Sequence, residues 1–422
     1  MSFKRISVVG LGYIGLPTAA MFASRKIEVV GVDVNQTAVE TINQGKIHIV
    51  EPDLDMLVHA AVKEGYLRAT LQAEPAQAFL IAVPTPFKDN HEPDLSYIHS
   101  VAKMIAPVLE KGNLVVLEST SPVGATEQLA QWLAELRTDL TFPQDAGVDA
   151  DINVAHCPER VLPGHVVREL VENDRVIGGM TPRCSERSIQ LYRSFVKGEC
   201  VVTNARTAEM AKLTENASRD VGIAFANELS LICDRLNIDV WELIALANRH
   251  PRVNILNPGP GVGGHCIAVD PWFIVSSAPE EAQLIHTARV INDAKPDWVV
   301  SKVRDEMANV VLDNPERKAA EVTIACLGLA FKADIDDLRE SPALGIANKL
   351  ADTLPCNLRV VEPNIKALPP SLLEKAQLVS LEEGLDGADV VVILVDHAQF
   401  KKVDPVKFAG KRVVDTRGLL RK

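Results

Sequence analysis

Arg5-Ile-Ser-Val-Val-Gly10-Leu-Gly-Tyr-Ile-Gly15 lies near the start of this 422-residue chain and predicts a strand, a tight turn and the beginning of a helix. The β-branched run before Gly10 is typical of a buried strand, and residues 16–23 have the apolar spacing of a helix that packs on a sheet. The G-x-G-x-x-G pattern lets the backbone approach a pyrophosphate at the helix N-terminus. We therefore expect a nucleotide-binding α/β domain here.

An acidic residue extends this pattern. Residues 28–32 predict a second strand, and Asp33 stands at its end. An acid about 20 residues beyond the glycines is expected to accept hydrogen bonds from both ribose hydroxyls. Asp33 would repel a 2′-phosphate, so NAD is favoured over NADP, with Gly10, Gly12 and Gly15 at the pyrophosphate. The alternative is a Rossmann-like sheet that binds no cofactor.

Length and composition predict a soluble enzyme of two or three domains. The residues are 47% hydrophobic and 24% charged, and the net charge of −12 argues against binding to nucleic acid or to an anionic membrane. The first residues superficially resemble a signal peptide, but Gly10, Gly12, Gly15 and Pro17 interrupt the apolar run. No stretch is long and apolar enough to span a bilayer.

The seven cysteines are scattered, odd in number and contain no C-x-x-C pair. This pattern argues against a disulfide framework or a zinc site. We therefore expect no metal and a reducing, cytoplasmic location.

Polar loops follow the next predicted strands, at residues 79–83, 114–118 and 152–155. In a doubly wound sheet such loops lie at the carboxyl edge, where ligands bind. Thr85, Thr120 and Thr126 are therefore candidate contacts, or alternatively caps of the following helices. Glu159 and Arg160 lie between prolines, which predicts a rigid carboxylate at Glu159 and a fixed anion-binding group at Arg160. The alternative is that the two residues form an ion pair on the surface.

A long helix is predicted from about residue 207 to residue 236. Lys212, Asn216 and Arg219 are spaced i, i+4, i+7 and form one polar stripe, which is either a ligand contact or a solvated face. Residues 241–247 continue helical. His250 and Arg252 follow, and they would hold a phosphate or sugar hydroxyl, or cap a helix.

The chemistry centres on Gly259-Pro-Gly-Val-Gly-Gly-His-Cys266. The glycines predict an unobstructed approach to Cys266 for backbone N–H groups and a bulky ligand. Asp270 follows four residues later, so a helical turn from residue 267 would place its carboxylate on the side of the cysteine. A buried structural cysteine is the alternative, but the flanking glycines and ionisable groups favour a reactive thiol.

A second α/β unit is predicted beyond a charged boundary at residues 313–321. Its strands are expected at residues 322–327, 357–361, 389–395 and 412–414, with residues 328–332 where a nucleotide loop would lie. Lys332, Arg339 and Arg417 supply cations for a phosphate. The predicted fold is α/β, with two Rossmann-like doubly wound domains (1–205 and 313–422) joined by a central helical domain (206–312) that contains a long helix.

These motifs together resemble the UDP-glucose/GDP-mannose dehydrogenase family over essentially the whole chain. The landmarks are Gly10–Gly15, Ser119–Gly124, Pro158-Glu159, Lys212 to Asn216, Gly263 to Asp270, Phe331-Lys332 and Arg339–Pro342. Residues 157–164, 250–254 and 258–266 look most like the branch that oxidises UDP-N-acetyl-D-mannosamine. The UDP-glucose enzymes carry an acid where this chain has Pro163, and an aromatic or aliphatic residue where it has Arg160.

The resemblance implies a four-electron oxidation of the sugar C6 alcohol to a carboxylate, with two NAD and one water. Cys266 would capture the aldehyde as a thiohemiacetal, whose oxidation leaves a thioester. Lys212 and Asn216 would hold the oxyanion, and Lys212 would also supply a cation to the thiol. Asp270 would orient a water or proton carrier, while Glu159 and Thr120 would position the hydrolytic water.

The resemblance also implies two sets of binding residues. NAD would be held, beyond the glycines, by Tyr13, Ile14, Asp33, Thr85, Thr126 and Arg339. The UDP-sugar substrate would be held by Arg160, Val161, Lys212, Asn216, Arg219, His250, Arg252, Gly263, Lys332 and Arg417. Members commonly form homodimers through the central helices, with an arginine, here Arg252, reaching the neighbour's substrate.

Within the resemblance, UDP-N-acetylglucosamine and UDP-glucose stay open as alternative substrates. Two other functions also stay open from the residues. A two-electron hydroxyacid dehydrogenase of the 6-phosphogluconate type also joins a Rossmann domain to a long helix and uses a lysine, but it needs no Cys266. A non-catalytic NAD-sensing protein would explain Gly10 to Asp33 and leave Cys266, Lys212 and Glu159 without a role. The number of NADH formed per sugar separates the three functions.

Overall fold

The computed structural model describes residues 3–49, 51–88, 91–161, 164–264 and 266–421. By its internal contacts the chain divides into two compact units. The first comprises Met1–Glu215 with Trp272–Ala278, and the second comprises Asn216–Pro271 with Pro279–Lys422. The three-domain division at residues 1–205, 206–312 and 313–422 stays a prediction.

The strands are short and apolar, as expected of sheets covered by helices on both faces. They are β1 (Arg5–Val9), β2 (Glu28–Val32), β3 (Leu67–Thr70), β4 (Ala78–Ile81), β5 (Leu114–Leu117), β6 (Asn153–His156), β7 (Arg175–Gly179), β8 (Cys200–Asn204), β9 (Thr323–Leu327), β10 (Asn357–Val361), β11 (Gln377–Leu378), β12 (Val390–Ile393) and β13 (Arg412–Asp415).

The helices vary more in length, and the two longest lie in the middle of the chain. They are α1 (Gly15–Ser24), α2 (Gln36–Asn43), α3 (Leu54–Lys63), α4 (Ser96–Ile105), α5 (Ala125–Leu136), α6 (Pro143–Ala146), α7 (Val166–Glu172), α8 (Pro182–Tyr192), α9 (Ala205–Leu236), α10 (Val240–Ala247), α11 (Asp270–Ser277), α12 (Gln283–Asp313), α13 (Pro342–Thr353), α14 (Leu381–Leu385) and α15 (Ala398–Lys401).

The first sheet has the order β3-β2-β1-β4-β5-β6-β7-β8. Neighbouring strands pair in parallel, except that β6 and β7 are antiparallel. Alternate residues of β1 enter two different cores, because Ile6 and Val8 pack on one face and Val9 on the other. The strand order reverses between β1 and β4, and such a switch point places the loop after β1 where doubly wound sheets bind nucleotides.

The second sheet has the order β11-β10-β9-β12-β13 and is parallel throughout. Its central strand β9 is buried at every position. The order reverses between β9 and β12, which places the loop from Gly328 at the equivalent switch point. The prediction of two doubly wound sheets with helices between them in sequence is confirmed.

The long predicted helix is α9, which begins at Ala205 and ends at Leu236. A second long helix, α12, was not predicted, and it continues through Pro296. In the second unit Arg289 of α12 donates to Asp220 of α9 at 2.6 Å, and both side chains are buried. Helix α12 ends at Asp313, where the charged boundary was predicted.

Candidate active site

The loop after β1 has the geometry that the glycine pattern predicts. Gly10 has φ of +90°, and a Cβ there would lie 2.5 Å from the carbonyl oxygen of Ala82. A Cβ on Gly15 would lie 1.7 Å from the carbonyl oxygen of Gly10, so the helix can begin only with glycine at this position. A Cβ on Gly12 would meet nothing within 4 Å. Gly12 therefore leaves room for a ligand beside the backbone, as a pyrophosphate requires.

Asp33 is tied to this loop. Its carboxylate accepts hydrogen bonds from the backbone N–H groups of Leu11, at 2.8 Å, and Asn35, at 2.9 Å. The side chain is only half-buried, and a carboxylate has about four lone-pair sites, so acceptor capacity remains for ribose hydroxyls. Tyr13 is exposed in the loop after β1, and Ile14 is half-buried at the start of α1. These residues fit the binding of NAD.

The predicted threonine contacts differ in their surroundings. Thr85 donates its hydroxyl to the backbone oxygen of Thr120, and both threonines are half-buried. Thr126 is buried, and its hydroxyl and backbone N–H both donate to Glu209 of α9, at 2.6 and 2.8 Å. Glu209 also accepts from the N–H of Gly124, at 2.6 Å. Thr126 is therefore held in the first turn of α5 by Glu209, a partner that the sequence did not reveal.

Glu159 and Arg160 do not form a pair with one another through their side chains. Glu159 is buried and faces the guanidinium of Arg175 at 2.7 Å, whereas Arg160 pairs with Glu215 of α9 at 2.5 Å. Val161 is half-buried against the core beneath. The surface ion pair considered from the sequence is therefore present, but with Glu215 as its acid. Pro163, on which the comparison with UDP-glucose enzymes depends, lies outside the described residues.

In the second unit Cys266 is exposed and starts a turn. The backbone N–H groups of Val269 and Asp270 donate to its carbonyl oxygen at 3.2 and 2.9 Å. This is the turn that the spacing of Cys266 and Asp270 predicts. The Asp270 carboxylate is buried and accepts from the Asn216 amide at 2.5 Å. A predicted thiol, amide and carboxylate are thus joined through one turn and one hydrogen bond.

Cys157 shows by contrast what an unreactive cysteine looks like. It is fully buried behind β6, and burial raises the pKa of its thiol to about 12. The thiolate is the nucleophilic form, so Cys157 is excluded as a nucleophile near neutral pH.

The glycines before Cys266 have a different physical reason from the one predicted. A Cβ on Gly263 would lie 2.4 Å from the backbone oxygen of Glu340, and one on Gly264 would lie 2.9 Å from the Phe331 ring. Gly264 also has φ of +85°. A Cβ on Gly259 would lie 2.8 Å from the Arg417 guanidinium. The glycines let the loop pack against residues 331–342 and Arg417, rather than clearing a path to the thiol. His265 lies outside the described residues.

The loop after β9 is built like the loop after β1, but its carboxylate, that of Glu362, is not accessible to a ligand. Glu362 accepts from the N–H groups of Leu329 and Ala330 at 2.8 and 3.0 Å, as Asp33 does from Leu11. However, Glu362 is fully buried beneath His397, whose Nε2 lies 3.0 Å from the carboxylate. The backbone N–H of Asp334 donates to His397 Nδ1, so Nε2 carries the proton. Glu362 is thus not available to a ribose.

The remaining predicted binding residues are largely accessible. Lys212 and Arg417 are half-buried, and Arg417 donates to Asp396 at 2.6 Å. Arg339 makes a bidentate pair with Asp337. The exposed members are Arg219, His250, Arg252, Lys332 and Arg339.

Comparison with known proteins agrees with this arrangement. Models of the UDP-glucose/GDP-mannose dehydrogenase family match the chain in order, with the NAD-binding domain at residues 4–196, the central domain at 206–294 and the UDP-binding domain at 325–422. The chain belongs to this family. The NAD cofactor and the dehydrogenase class predicted from the sequence are therefore confirmed, as is the second lobe as a UDP-binding domain.

Individual relatives are similar to this chain over essentially its full length. A UDP-N-acetyl-D-mannosamine dehydrogenase of Yersinia pestis is 65% identical over 421 residues, covering 100% of both chains. An NDP-N-acetyl-D-galactosaminuronic acid dehydrogenase of Ralstonia nicotianae is 64% identical, covering 99% of this chain and 97% of its own. The solved UDP-D-ManNAc dehydrogenase of Pyrococcus horikoshii is 40% identical with a TM-score of 0.87, covering 99% of this chain and 96% of that one.

None of the described helices combines the length and the apolar character needed to cross a membrane.

Proposed function

We propose that this chain oxidises C6 of UDP-N-acetyl-D-mannosamine to the uronate carboxylate, using two NAD and one water. The observation that carries the proposal is the exposed Cys266 in a turn with Asp270, whose carboxylate accepts from Asn216. A two-electron hydroxyacid dehydrogenase needs no such thiol. The names of the Yersinia pestis and Pyrococcus horikoshii relatives support the acetamidomannose sugar.

The proposed chemistry has four steps. A base removes the proton of the C6 alcohol while its hydride passes to the first NAD, which gives an aldehyde. The Cys266 thiolate adds to the aldehyde, and the sp³ carbon of the thiohemiacetal gives up a second hydride to the second NAD. Water then adds to the resulting thioester, the thiolate leaves, and a carboxylate and two protons are released. The covalent bond keeps the aldehyde from escaping.

Each predicted catalytic residue has a proposed role in these steps. Lys212 and the Asn216 amide stabilise the oxyanion that forms when sulfur or water adds to the carbon. Asp270 orients a water or proton carrier, and Glu159 with Thr120 positions the hydrolytic water. Asp270 fits such a role because its carboxylate is already held by Asn216.

The UDP-sugar is proposed to meet mainly cationic and polar groups. These are Arg160, Val161, Arg219, His250, Arg252, Gly263, Lys332 and Arg417, while NAD meets Gly10 to Gly15, Asp33, Thr85, Thr126 and Arg339. Arg417 fits because it adjoins Gly259 at the start of the cysteine loop. We also propose a cytoplasmic location, since a reactive thiol persists in a reducing compartment.

A second candidate substrate is the galacto-configured UDP-acetamido sugar. The relative from Ralstonia nicotianae favours it, because its identity of 64% is almost that of the acetamidomannose enzyme. The two sugars differ in configuration at C2 and C4, so a few polar contacts decide between them.

A substrate panel tests the proposal. The protein is incubated with NAD and, separately, UDP-N-acetylmannosamine, UDP-N-acetylgalactosamine, UDP-N-acetylglucosamine and UDP-glucose, and NADH is counted against sugar consumed. We expect two NADH per UDP-N-acetylmannosamine and the highest kcat/KM for that sugar. Comparable turnover of UDP-glucose, a preference for another acetamido sugar, or one NADH per sugar would contradict the proposal.

We propose further that the protein is a homodimer that joins through α9. Phe225, Ile232 and Leu236 are 51%, 47% and 60% exposed on that helix. Their spacing of seven and four residues places them on one face, which a second copy of the same helix would cover. The exposed Arg252 could then reach the substrate of the neighbour.

Light scattering during size-exclusion chromatography tests the dimer. Phe225→Glu with Ile232→Glu should yield monomers, while Arg235→Glu, an exposed change on the same helix, should leave the dimer intact. A monomeric unmodified protein would refute this part of the proposal.

A further inference from the structure

A cluster of buried polar side chains stands on one face of the first sheet, and the reaction scheme above uses only one of its members. Glu118 follows β5, Glu159 follows β6, Arg175 begins β7 and Tyr192 ends α8. Their exposed fractions are 1%, 8%, 3% and 0%. All four belong to the first unit.

Arg175 holds Glu159 from behind. Its Nη1 lies 2.7 Å from Glu159 Oε2, and Glu159 Oε1 accepts from the backbone N–H of Arg160 at 2.8 Å. Oε1 is therefore held by a hydrogen bond and Oε2 by the charge of Arg175 at ion-pair distance, while each oxygen keeps a lone pair for another donor. The orientation of Glu159 is thus set by Arg175 together with its own backbone.

Aromatic rings support the guanidinium. Its Cζ lies 4.9 Å from the ring centroid of Tyr192 and 5.9 Å from that of Phe195. The Tyr192 hydroxyl donates to Glu118 at 2.6 Å. Burial raises the pKa of the Glu118 carboxyl to about 7, against the opposing effect of Arg175, and the nearby Glu159 charge adds to the rise. Arg175 therefore lies in the field of two carboxyl groups.

Stability alone does not explain an ion pair at this place. Removing two charges from water costs several kcal/mol for each ion, and apolar residues of similar volume are often as stable or more so. Apart from the Glu118 and Glu159 carboxyl groups, Arg175 packs against the rings of Tyr192 and Phe195, which an apolar residue would also suit. What an apolar residue would not do is orient the Glu159 carboxylate.

We propose that Arg175 is a positioning residue for the hydrolytic step, which it serves by fixing the Glu159 carboxylate as acceptor of the water proton. The inference rests on the proposed function. In this step the water oxygen bonds to the acyl carbon and one water proton passes to Glu159. The carbon–sulfur bond breaks to release the Cys266 thiolate, and the second water proton is lost when the carboxylic acid ionises to the carboxylate. The two hydride transfers come earlier and do not use Glu159, so Arg175 is dispensable for them.

The test is rapid mixing of the full-length protein with NAD and UDP-N-acetylmannosamine, for the unmodified protein and for Arg175→Gln. The variant should release two NADH per active site in a burst at the normal rate. Its steady state should then be slower by about 10²-fold or more, the range for loss of general acid–base catalysis. Intact-protein mass spectrometry should detect the uronyl thioester on Cys266.

Three further variants complete the test. Glu159→Gln should give the same burst and adduct, and Arg175→Lys, which keeps the charge, should restore part of the steady-state rate. Arg289→Gln is the matched control, because Arg289 is also buried and ion-paired, with Asp220 at 2.6 Å. It should lower the melting temperature without producing a burst or an adduct.

The outcomes separate the two proposals. An Arg175→Gln protein with unchanged turnover, or one that is slowed without a burst or adduct, overturns the role of Arg175. If Arg175→Gln does not fold, Arg175→Lys decides alone, and a slowed steady state without a burst or adduct overturns the role in the same way. Failure of the unmodified protein to form two NADH per sugar would instead overturn the proposed function.

Discussion

The backbone N–H of Asp270 donates to the carbonyl oxygen of Cys266 at 2.9 Å, while the Asp270 side chain accepts from Asn216 at 2.5 Å. One residue therefore links the turn that carries the thiol to the long helix α9. The turn is closed by backbone hydrogen bonds to the Cys266 carbonyl oxygen, and a change of the Cys266 side chain keeps these bonds. This makes substitution of Cys266 a direct test of covalent catalysis.

Cys266→Ala is expected to lose two-NADH turnover by several orders of magnitude, as removal of a covalent nucleophile does. In Cys266→Ser the serine hydroxyl should add to the aldehyde, and oxidation should leave an oxygen ester. This ester should hydrolyse slowly because it is less reactive than a thioester, so the covalent adduct should accumulate. Stopped-flow absorbance and intact mass measure the two effects. The control is Cys200→Ala, at a half-buried thiol in β8. Near-normal turnover of Cys266→Ala would remove the thiol from the mechanism.

Asp33→Ser is expected to weaken NAD binding by roughly 10- to 100-fold, the scale of hydrogen bonds to a charged group. Asp33 also holds the N–H of Leu11, so loosening of the loop would weaken NAD and NADP alike. Loss of ribose recognition should instead reduce the difference in affinity between NAD and NADP. Calorimetric titration with both cofactors distinguishes these effects. An unmodified protein that uses NADP as well as NAD would contradict the role of Asp33.

Gly12→Ala and Gly15→Ala form a matched pair of changes in one loop. A methyl group on Gly12 enters open space, so this variant should fold normally and bind NAD at least about tenfold more weakly, because the pyrophosphate needs that space. A methyl group on Gly15 collides with the Gly10 carbonyl, so this variant should melt at a much lower temperature. Equal melting temperatures of the two variants would contradict the packing role of Gly15. Unchanged NAD affinity of Gly12→Ala would contradict the role of Gly12 in leaving space for the pyrophosphate.

Lys295 predicts a pH dependence of stability. It is buried in α12, where its ammonium donates to Ser230 and lies 3.8 Å from the Trp298 ring centroid. Burial lowers the pKa of Lys295 from 10.5 to about 7, despite the opposing charge of Asp234. Above about pH 7 the unfolded chain therefore binds a proton that the folded chain does not. The free energy of unfolding should rise with pH, by up to about 1.4 kcal/mol per pH unit from this group.

Urea denaturation at about pH 7, 8 and 9 measures the effect, with Lys295→Met as the comparison. The advantage of the unmodified protein over the variant should grow as the pH rises towards the unfolded-state pKa. Parallel pH curves for the two proteins would show that the Lys295 amine keeps its proton in the folded state.

Much of the fold follows from short-range patterns in the sequence. The strand, turn and helix of Arg5 to Ser24, the acid at Asp33 and the helix α9 were predicted because their periodicity and glycines act between residues close in the chain. The turn from Cys266 to Asp270 was predicted for the same reason, since a spacing of four residues is a property of one helical turn. Strand β8 was missed because Val201 and Val202 are exposed and its pattern does not alternate.

Other features of the site depend on residues far apart in the sequence. Arg175 could be assigned to Glu159 only when β6 and β7 were seen side by side, because any of the chain's arginines could have paired with that carboxylate. Glu362 holds the loop after β9 as Asp33 holds the loop after β1, and only the structure shows that His397 packs over its carboxylate. The glycines at 263 and 264 suggest an open approach, whereas the structure fills their space with Glu340 and Phe331. Periodicity and backbone constraints are local and can be read from the sequence, but packing and the pairing of buried charges are settled only when distant segments meet.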